Sequence, residues 1–186
     1  MRDSALIRKA VVADAEAISA VHVSSKQATY RGLVPASILS ELSAPQANAD
    51  RQERWRKVLA SDEVDVFVAE LDGQVVGFVS SGTTHDNEGL QKATGEIYAI
   101  YVSSDQQRAG IGRKLIGAAL RGLEKRGFSE ATLWTALPSA RSFYEAVGFR
   151  LDGAEKVSPL VPGYYVQVTD VRYRCNLANK AVETDR

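Results

Sequence analysis

Cysteine is nearly absent. Cys175 stands alone among 186 residues, which rules out an intramolecular disulfide and a zinc centre built from several cysteines. Neither sign of charge is in excess. Lys and Arg number 23, Asp and Glu also 23, and the formal net charge is zero. A nucleic-acid binder usually carries a basic footprint, so the balance argues against nucleic acid as a partner. Long apolar runs are missing, and none reaches the roughly 18 residues that a membrane helix needs. The opening MRDSALIRKAVVADAE lacks the apolar stretch of a secretory leader. No internal repeat or low-complexity segment is present. What remains is 45% hydrophobic, enough for a substantial core. The expectation is a soluble, cytoplasmic, globular protein with no membrane partner, of one domain's length or slightly more.

The apolar pattern switches period along the chain. ALIRKAV reads as a first strand. From about Asp14, the residues Ala17, Ile18, Val21 and His22 recur at helical spacing. Asp14 and Glu16 suit the positive end of that helix. YRGLVP (30–35) breaks it, and Pro35 opens a short helix through Leu39 and Leu42. A further helix runs from about Ala47 to Leu59 with Trp55, Val58 and Leu59 on one face. VDVFVAEL (64–71) then alternates as a strand does. Asp72-Gly73 is a hairpin turn signal, and VVGFVSSG (75–82) is the returning strand. TTHDNEGLQKAT (83–94) is a polar loop, and GEIYAIYV (95–102) is a third strand. The helix from Gly110 to about Arg126 carries Ile111, Leu115, Ile116, Ala119, Leu120 and Leu123, with Gly127 as its cap. EATLWT (130–135) is a buried strand. PSARSFYEAVGF holds a second short helix capped by Gly148. FRLDGAE and VTDVRYRC are the last strands. Antiparallel hairpins alternating with helices imply an α/β domain with a mixed sheet and helices on both faces.

Residues 106–115 read QQRAGIGRKL. Two glycines one residue apart open a helix directly after a hydrophobic strand. The first amides of a helix have no intrahelical partner and face an anion at the positive end of the dipole, phosphate being the usual occupant. Glycine at 110 and 112 removes Cβ and lets a bulky pyrophosphate approach the backbone. Arg108 and Arg113 add positive charge. Taken alone, Gly-x-Gly is also the mark of an ordinary tight turn. A dinucleotide fingerprint would place a third glycine where Leu115 stands. A Walker loop would need Gly-Lys followed by Ser or Thr. Neither nucleotide pattern is met.

The longer stretch GEIYAIYVSSDQQRAGIGRKLIGAAL resembles the central motif of the GNAT superfamily of acyl-CoA N-acyltransferases. Its Gln107-Arg108-Ala109-Gly110-Ile111-Gly112 matches the family's Gln/Arg-x-x-Gly-x-Gly/Ala. Downstream, ARSFYEAVGF resembles the family's second signature. DAEAISAVHVSSKQATYRGLVP resembles the first helix of bacterial members. Together these cover roughly residues 5 to 175, and the expected organisation is one GNAT-like domain over 1–175 with a polar tail over 176–186. The fold this implies is α/β, with a mixed, mostly antiparallel sheet that contains a splayed parallel strand pair and has helices on both faces.

The resemblance further implies direct acetyl transfer from acetyl-CoA to a primary amine, with no covalent enzyme intermediate and no metal. Gln107, Arg108, Ala109, Gly110, Ile111, Gly112 and Arg113 would bind the pyrophosphate of coenzyme A. Backbone groups of Ile100 and Val102 would hold the pantetheine arm as an added strand, with the Ile100 amide polarising the thioester carbonyl. Glu96 aligns with a glutamate that serves as general base in many members; its plainer reading is a strand-end carboxylate in water or a salt bridge. Tyr144 occupies the position of the acid that serves the departing thiolate; its plainer reading is packing beside Phe143. Two departures stand out. Leu137 sits where many members have Asn, and SSKQATYRG carries Lys26 and Gln27 where relatives have Trp.

Tyr30, Arg31, Tyr164 and Tyr165 are candidates to line the acceptor site. His22 reads more readily as packing, His85 and Asp86 as loop polarity, and Cys175 as a small buried hydrophobe. The acceptor itself is left open between a small-molecule amine and a protein or peptide amine, and the family resemblance admits a homodimer. Rival readings are a non-catalytic acyl-CoA sensor, the same fold using a longer acyl-CoA, and a dinucleotide-binding module.

Overall fold

Asp72 and Gly73 both take positive φ, 51° and 76°, the backbone of a two-residue type I′ hairpin. They join β2 (Val64–Leu71) to β3 (Gln74–Thr83). The computed structural model from which this geometry comes describes residues 5–32, 34–86, 93–159 and 167–178. The predicted sites Tyr164 and Tyr165 and most of the polar tail lie outside the described residues, as does the middle of the 83–94 loop.

The other elements follow in chain order. The strand β1 (Leu6–Lys9) precedes a 3-10 turn at Val12–Asp14, and α1 runs Ala15–Tyr30. Next come α2 (Ala36–Glu41) and α3 (Pro45–Leu59). After the hairpin lie β4 (Thr94–Val102), α4 (Ile111–Lys125), β5 (Glu130–Thr135) and α5 (Arg141–Ala146). The chain ends in β6 (Arg150–Pro159) and β7 (Gln167–Asn176). The strand order is β1-β2-β3-β4-β5-β7-β6. Pairing is antiparallel for β1 with β2, β5 with β7 and β6 with β7, and parallel for β4 with β5. The expected α/β class with a mostly antiparallel sheet and one parallel pair is what the chain forms.

Two elements differ from the sequence expectation. The first strand stops at Lys9, because Asp14 draws the chain into a turn: its carboxylate accepts from the Val11 amide at 2.8 Å and from Arg8 at 2.7 and 2.9 Å. The sixth strand runs on past Glu155 to Pro159, across a bulge between Leu151 and Glu155 where Gly153 takes φ 88°. A bulge shifts the alternation, which hides a strand from period-two reading. No helix among the described residues is long and apolar enough to cross a membrane.

The contacts divide the chain into two compact units, residues 1–81 with 99–119, and 82–98 with 120–186. The first has its core in Ile18, Val21, Val66, Val68 and Phe78, against which Trp55, Val58 and Leu59 of α3 pack. That face is the one the spacing in α3 marks out. Phe78 and Val68 are completely buried, and each such side chain contributes roughly 1.5–3 kcal/mol of apolar transfer. The second unit buries Leu123, Leu133, Phe149 and Tyr173. Within it, β4 lies so close to α4 that a Cβ on Gly95 would come 2.7 Å from Cδ2 of Leu123.

Candidate active site

The loop after β4 is built by a short chain of hydrogen bonds. Ser103 N–H donates to Val76 O on β3 at 2.9 Å. The Val102 carbonyl accepts from Ser25 Oγ at 3.4 Å and from Gln107 Nε2 at 3.3 Å. Beyond a 3-10 turn at Ser104–Gln106, Arg108 and Gly110 take positive φ of 65° and 79°. For arginine this region costs about 1–3 kcal/mol, strain of the kind that collects at ligand-binding turns. Nothing lies within 4 Å of where a Cβ on Gly110 would stand, so the turn opens onto free space.

Helix α4 then starts. Its first i to i−4 bond runs from Lys114 N–H to Gly110 O at 3.2 Å, which makes Gly110 the N-cap and puts Ile111, Gly112 and Arg113 in the first turn. Amides in these positions have no acceptor inside the helix. Ile111 is buried and anchors the turn, while Arg108, Arg113 and Lys114 are exposed beside it. The two glycines thus have different tasks. Gly110 supplies the left-handed turn, and Gly112 keeps the helix start bare.

The alternation of β4 fixes where its backbone points. Ser103 N–H reaches β3, and Tyr101 O lies 3.0 Å from a Cβ built on Gly77 of β3. With a period of two, the amides of Ile100 and Val102 turn to the opposite edge. The pairing of β4 with β5 covers Thr94↔Glu130 to Ile97↔Leu133, whereas β4 itself continues to Val102. The Val102 carbonyl is taken up by Ser25 and Gln107, so Gln107 secures the strand end.

Glu96, in the second unit, is half-buried. Its Oε2 accepts from Thr84 Oγ1 at 3.2 Å and from His85 N–H at 3.0 Å. Thr84 Oγ1 in turn accepts from Asp86 N–H at 3.2 Å. The Asp86 carboxylate takes the indole N–H of Trp134 at 2.7 Å and Arg172 Nη1 at 3.3 Å. Arg172 is buried, 6% exposed, and also donates through Nε to Asp152 at 2.8 Å. Asp86, read from sequence as loop polarity, is therefore the anchor of the segment that holds Glu96. Trp134 and Arg172 were no candidates in the sequence; they lie 48 and 86 residues from Asp86, and nothing local signals the pairing.

Tyr144 is the fourth residue of α5, half-buried among Phe143, Phe149 and Tyr173 at ring distances of 5.3, 6.4 and 5.9 Å. Burial pushes its hydroxyl up to about 12, so it stays a proton donor throughout the neutral range. Leu137, in place of the family's Asn, donates its amide to Thr135 Oγ1 at 3.1 Å. Tyr30 ends α1, half-buried, and Arg31 beyond it is exposed. His22 packs in an aromatic cluster and Cys175 is buried. Ile100, Val102 and Gln107 to Arg113 share the first unit with Tyr30 and Arg31, while Glu96 and Tyr144 belong to the second.

Where the sequence resemblance expects a cofactor cradle, the structure has a strained, glycine-bearing turn from a strand into a basic helix start. The model of the Acetyltransferase (GNAT) family matches residues 35–149, and the chain belongs to that family. It is 33% identical over 130 residues to the uncharacterized N-acetyltransferase YuaI of Bacillus subtilis, covering 69% of each chain. Its fold matches PaiA N-acetyltransferase of Thermoplasma acidophilum, solved with coenzyme A, at a TM-score of 0.70 and 18% identity, over 94% of this chain and 99% of that one. It also matches yncA of Salmonella typhimurium, solved with its cofactor acetyl-CoA, at a TM-score of 0.66 and 22% identity, over 94% and 95% of the two chains.

Proposed function

We propose that this GNAT-family protein transfers an acetyl group from acetyl-CoA directly to a primary amine. The observation that carries the reading is the turn opening α4. Gly110 at φ 79° has open space where a side chain would stand, and exposed Arg108, Arg113 and Lys114 surround bare first-turn amides. Those groups fit a pyrophosphate, with Gln107, Ala109, Ile111 and Gly112 completing the cradle. Bound acetyl-CoA would supply an activated thioester. The amides of Ile100 and Val102, turned away from β3, hold its extended arm, and Ile100 N–H is the donor proposed for the thioester carbonyl.

Glu96 is the proposed general base. Its carboxylate is held by a hydroxyl and an amide, which fixes its orientation and leaves Oε1 to take a proton from the amine, directly or through water. Tyr144 is the proposed donor to the leaving sulfur, its hydroxyl kept protonated by burial. Tyr30 and Arg31, with Tyr164 and Tyr165, are proposed for the acceptor. The test is a panel of amines with saturating acetyl-CoA, followed by free thiol release and by mass of the acetylated amine. Amine-dependent thiol release supports the reading. Binding of acetyl-CoA without turnover of any amine would leave a sensor, and faster turnover of longer acyl thioesters would change the donor.

A further inference from the structure

Three cations, Lys26, Arg51 and Arg54, lie on α1 and α3 where these helices meet, and among the described residues no carboxylate pairs with them. Lys26 lies one helical turn after His22 and shares its face of α1. On α3, Arg51 is one turn before Trp55, and Arg54 is beside it. The two helices meet through an edge-on contact of His22 and Trp55, ring centroids 6.3 Å apart. Arg51 is held in place by neutral acceptors, Asn48 Oδ1 at 2.9 Å and Leu42 O at 3.0 Å. The acids of α3 are engaged elsewhere: Glu53 with Arg56 and Lys57, and Asp50 with Gln46. Among the described residues, Lys26, Arg51 and Arg54 make no salt bridge.

Such an arrangement opposes folding. Lys26 and Arg51 are both half-buried, while Arg54 is exposed at the rim. Burial depresses the two half-buried groups first, and the neighbouring Arg51 and Arg54 depress Lys26 and Arg51 further. Among the described residues, the buried Nδ1 of His22 has no hydrogen-bond partner either. Desolvated like charges destabilise a fold unless an anion joins them. The site is also tied to the strand that carries the proposed thioester-binding edge. Ser25, next to Lys26, donates to Val102 O at 3.4 Å, and the His22 ring lies 4.8 Å from Tyr101.

We propose that Lys26, Arg51 and Arg54 form an anion site that receives a carboxylate or phosphate carried by the amine acceptor. The acceptor is then an amine bearing a negative group, such as an amino acid or an amino phosphate, and a polyamine, which carries only positive charge, is disfavoured. The naming of the anion's bearer as acceptor rests on the catalytic reading above; the anion site itself does not.

The test has two arms. In the first, the melting temperature of the full chain is measured with inorganic phosphate or succinate against chloride at equal ionic strength. Both anions should stabilise the parent, and the effect should vanish in Lys26→Met, whose side chain keeps an unbranched apolar stem and loses the charge. Lys57→Met, which removes the same charge from the exposed side of α3, should respond as the parent does. In the second arm, kcat/KM is compared for an amino acid against its amide, and for phosphoethanolamine against ethanolamine. The ratio that favours the anion-bearing amine should fall about ten- to hundredfold in Lys26→Met, and the pair with the larger ratio tells carboxylate from phosphate. No anion-specific stabilisation of the parent would overturn the proposal. So would a loss of acetyl-CoA affinity in Lys26→Met, since the anion would then be the cofactor's. Anion stabilisation with no amine acetylated would sustain the site and remove the catalytic reading.

Discussion

His22 gives the protein an acid weakness whose size follows from its surroundings. Its ring is wedged between Trp55, Phe78 and Tyr101 at centroid distances of 6.3, 5.8 and 4.8 Å. Burial first, and then Lys26, Arg51 and Arg54, lower it from 6.5 to about 3. The unfolded chain therefore takes a proton on His22 below 6.5 while the folded chain does not. Stability from this residue is intact above 6.5 and falls as pH drops below it. At pH 5, about 1.5 pH units below that midpoint, the linkage relation gives a loss of about 2 kcal/mol. The figure depends on the unfolded value alone, provided the folded one lies well under 5. In a protein of this size it amounts to about 4–8 °C of melting temperature. His22→Phe keeps a ring for the three aromatic neighbours and removes the titration. Urea unfolding of parent and variant at pH 8, 6 and 5, in a chloride buffer, is the assay. Any constant packing cost of the substitution cancels, because only each protein's own change with pH is compared. The parent should lose about 2 kcal/mol more than the variant between pH 8 and pH 5. Equal losses would show that His22 takes its proton in the folded state, and the reasoning from burial would be wrong.

Gly110→Asp should abolish acetyl-CoA binding by calorimetry without unfolding the chain, because Asp tolerates positive φ better than most residues yet places a carboxylate at the pyrophosphate. Glu96→Gln should lower the limiting rate by about 100- to 10,000-fold with cofactor affinity unchanged; a normal rate at saturating amine would return Glu96 to a structural role. Asp86→Asn should lower the unfolding free energy by about 2 kcal/mol or less, since the Arg172 guanidinium loses the Asp86 carboxylate and keeps Asp152, and should slow the limiting rate more than it changes acetyl-CoA affinity. Tyr144→Phe should slow the limiting rate by about 100-fold, less for a thioester with a better leaving group, and equal turnover with every donor would leave the ring as packing.

Most of the fold was legible because most of its determinants are local. Val64 to Leu71 alternate, Asp72-Gly73 can take two positive φ values, and the structure shows β2 and its hairpin at those residues. The apolar stripe of α4, from Ile111 through Leu123, is buried as its spacing requires. The turn proposed as the cradle was legible for the same reason: a turn, a cap and a first helical turn are written in consecutive residues. The β6 strand was cut short because a bulge at Gly153 resets the period, and a fixed-period reading stops at such a break.

What the sequence concealed is how charges are answered. Asp86 reads as a loop aspartate until Trp134 and Arg172, on two different strands, are seen to converge on it. Lys26 reads as a departure from the family until α3 brings Arg51 and Arg54 toward the same face. In both cases the residue types are unremarkable, and only the tertiary arrangement decides whether a charge is paired. The two outcomes differ in consequence. The Asp86 network pairs Arg172 with two aspartates and takes the Trp134 indole N–H, and its proposed work is to hold Glu96 still. The cluster at Lys26 is open: among the described residues its cations have no carboxylate and the His22 Nδ1 has no partner. Under the proposed anion site, this open cluster is where the protein gains a preference among amines, the missing charge being supplied by the acceptor.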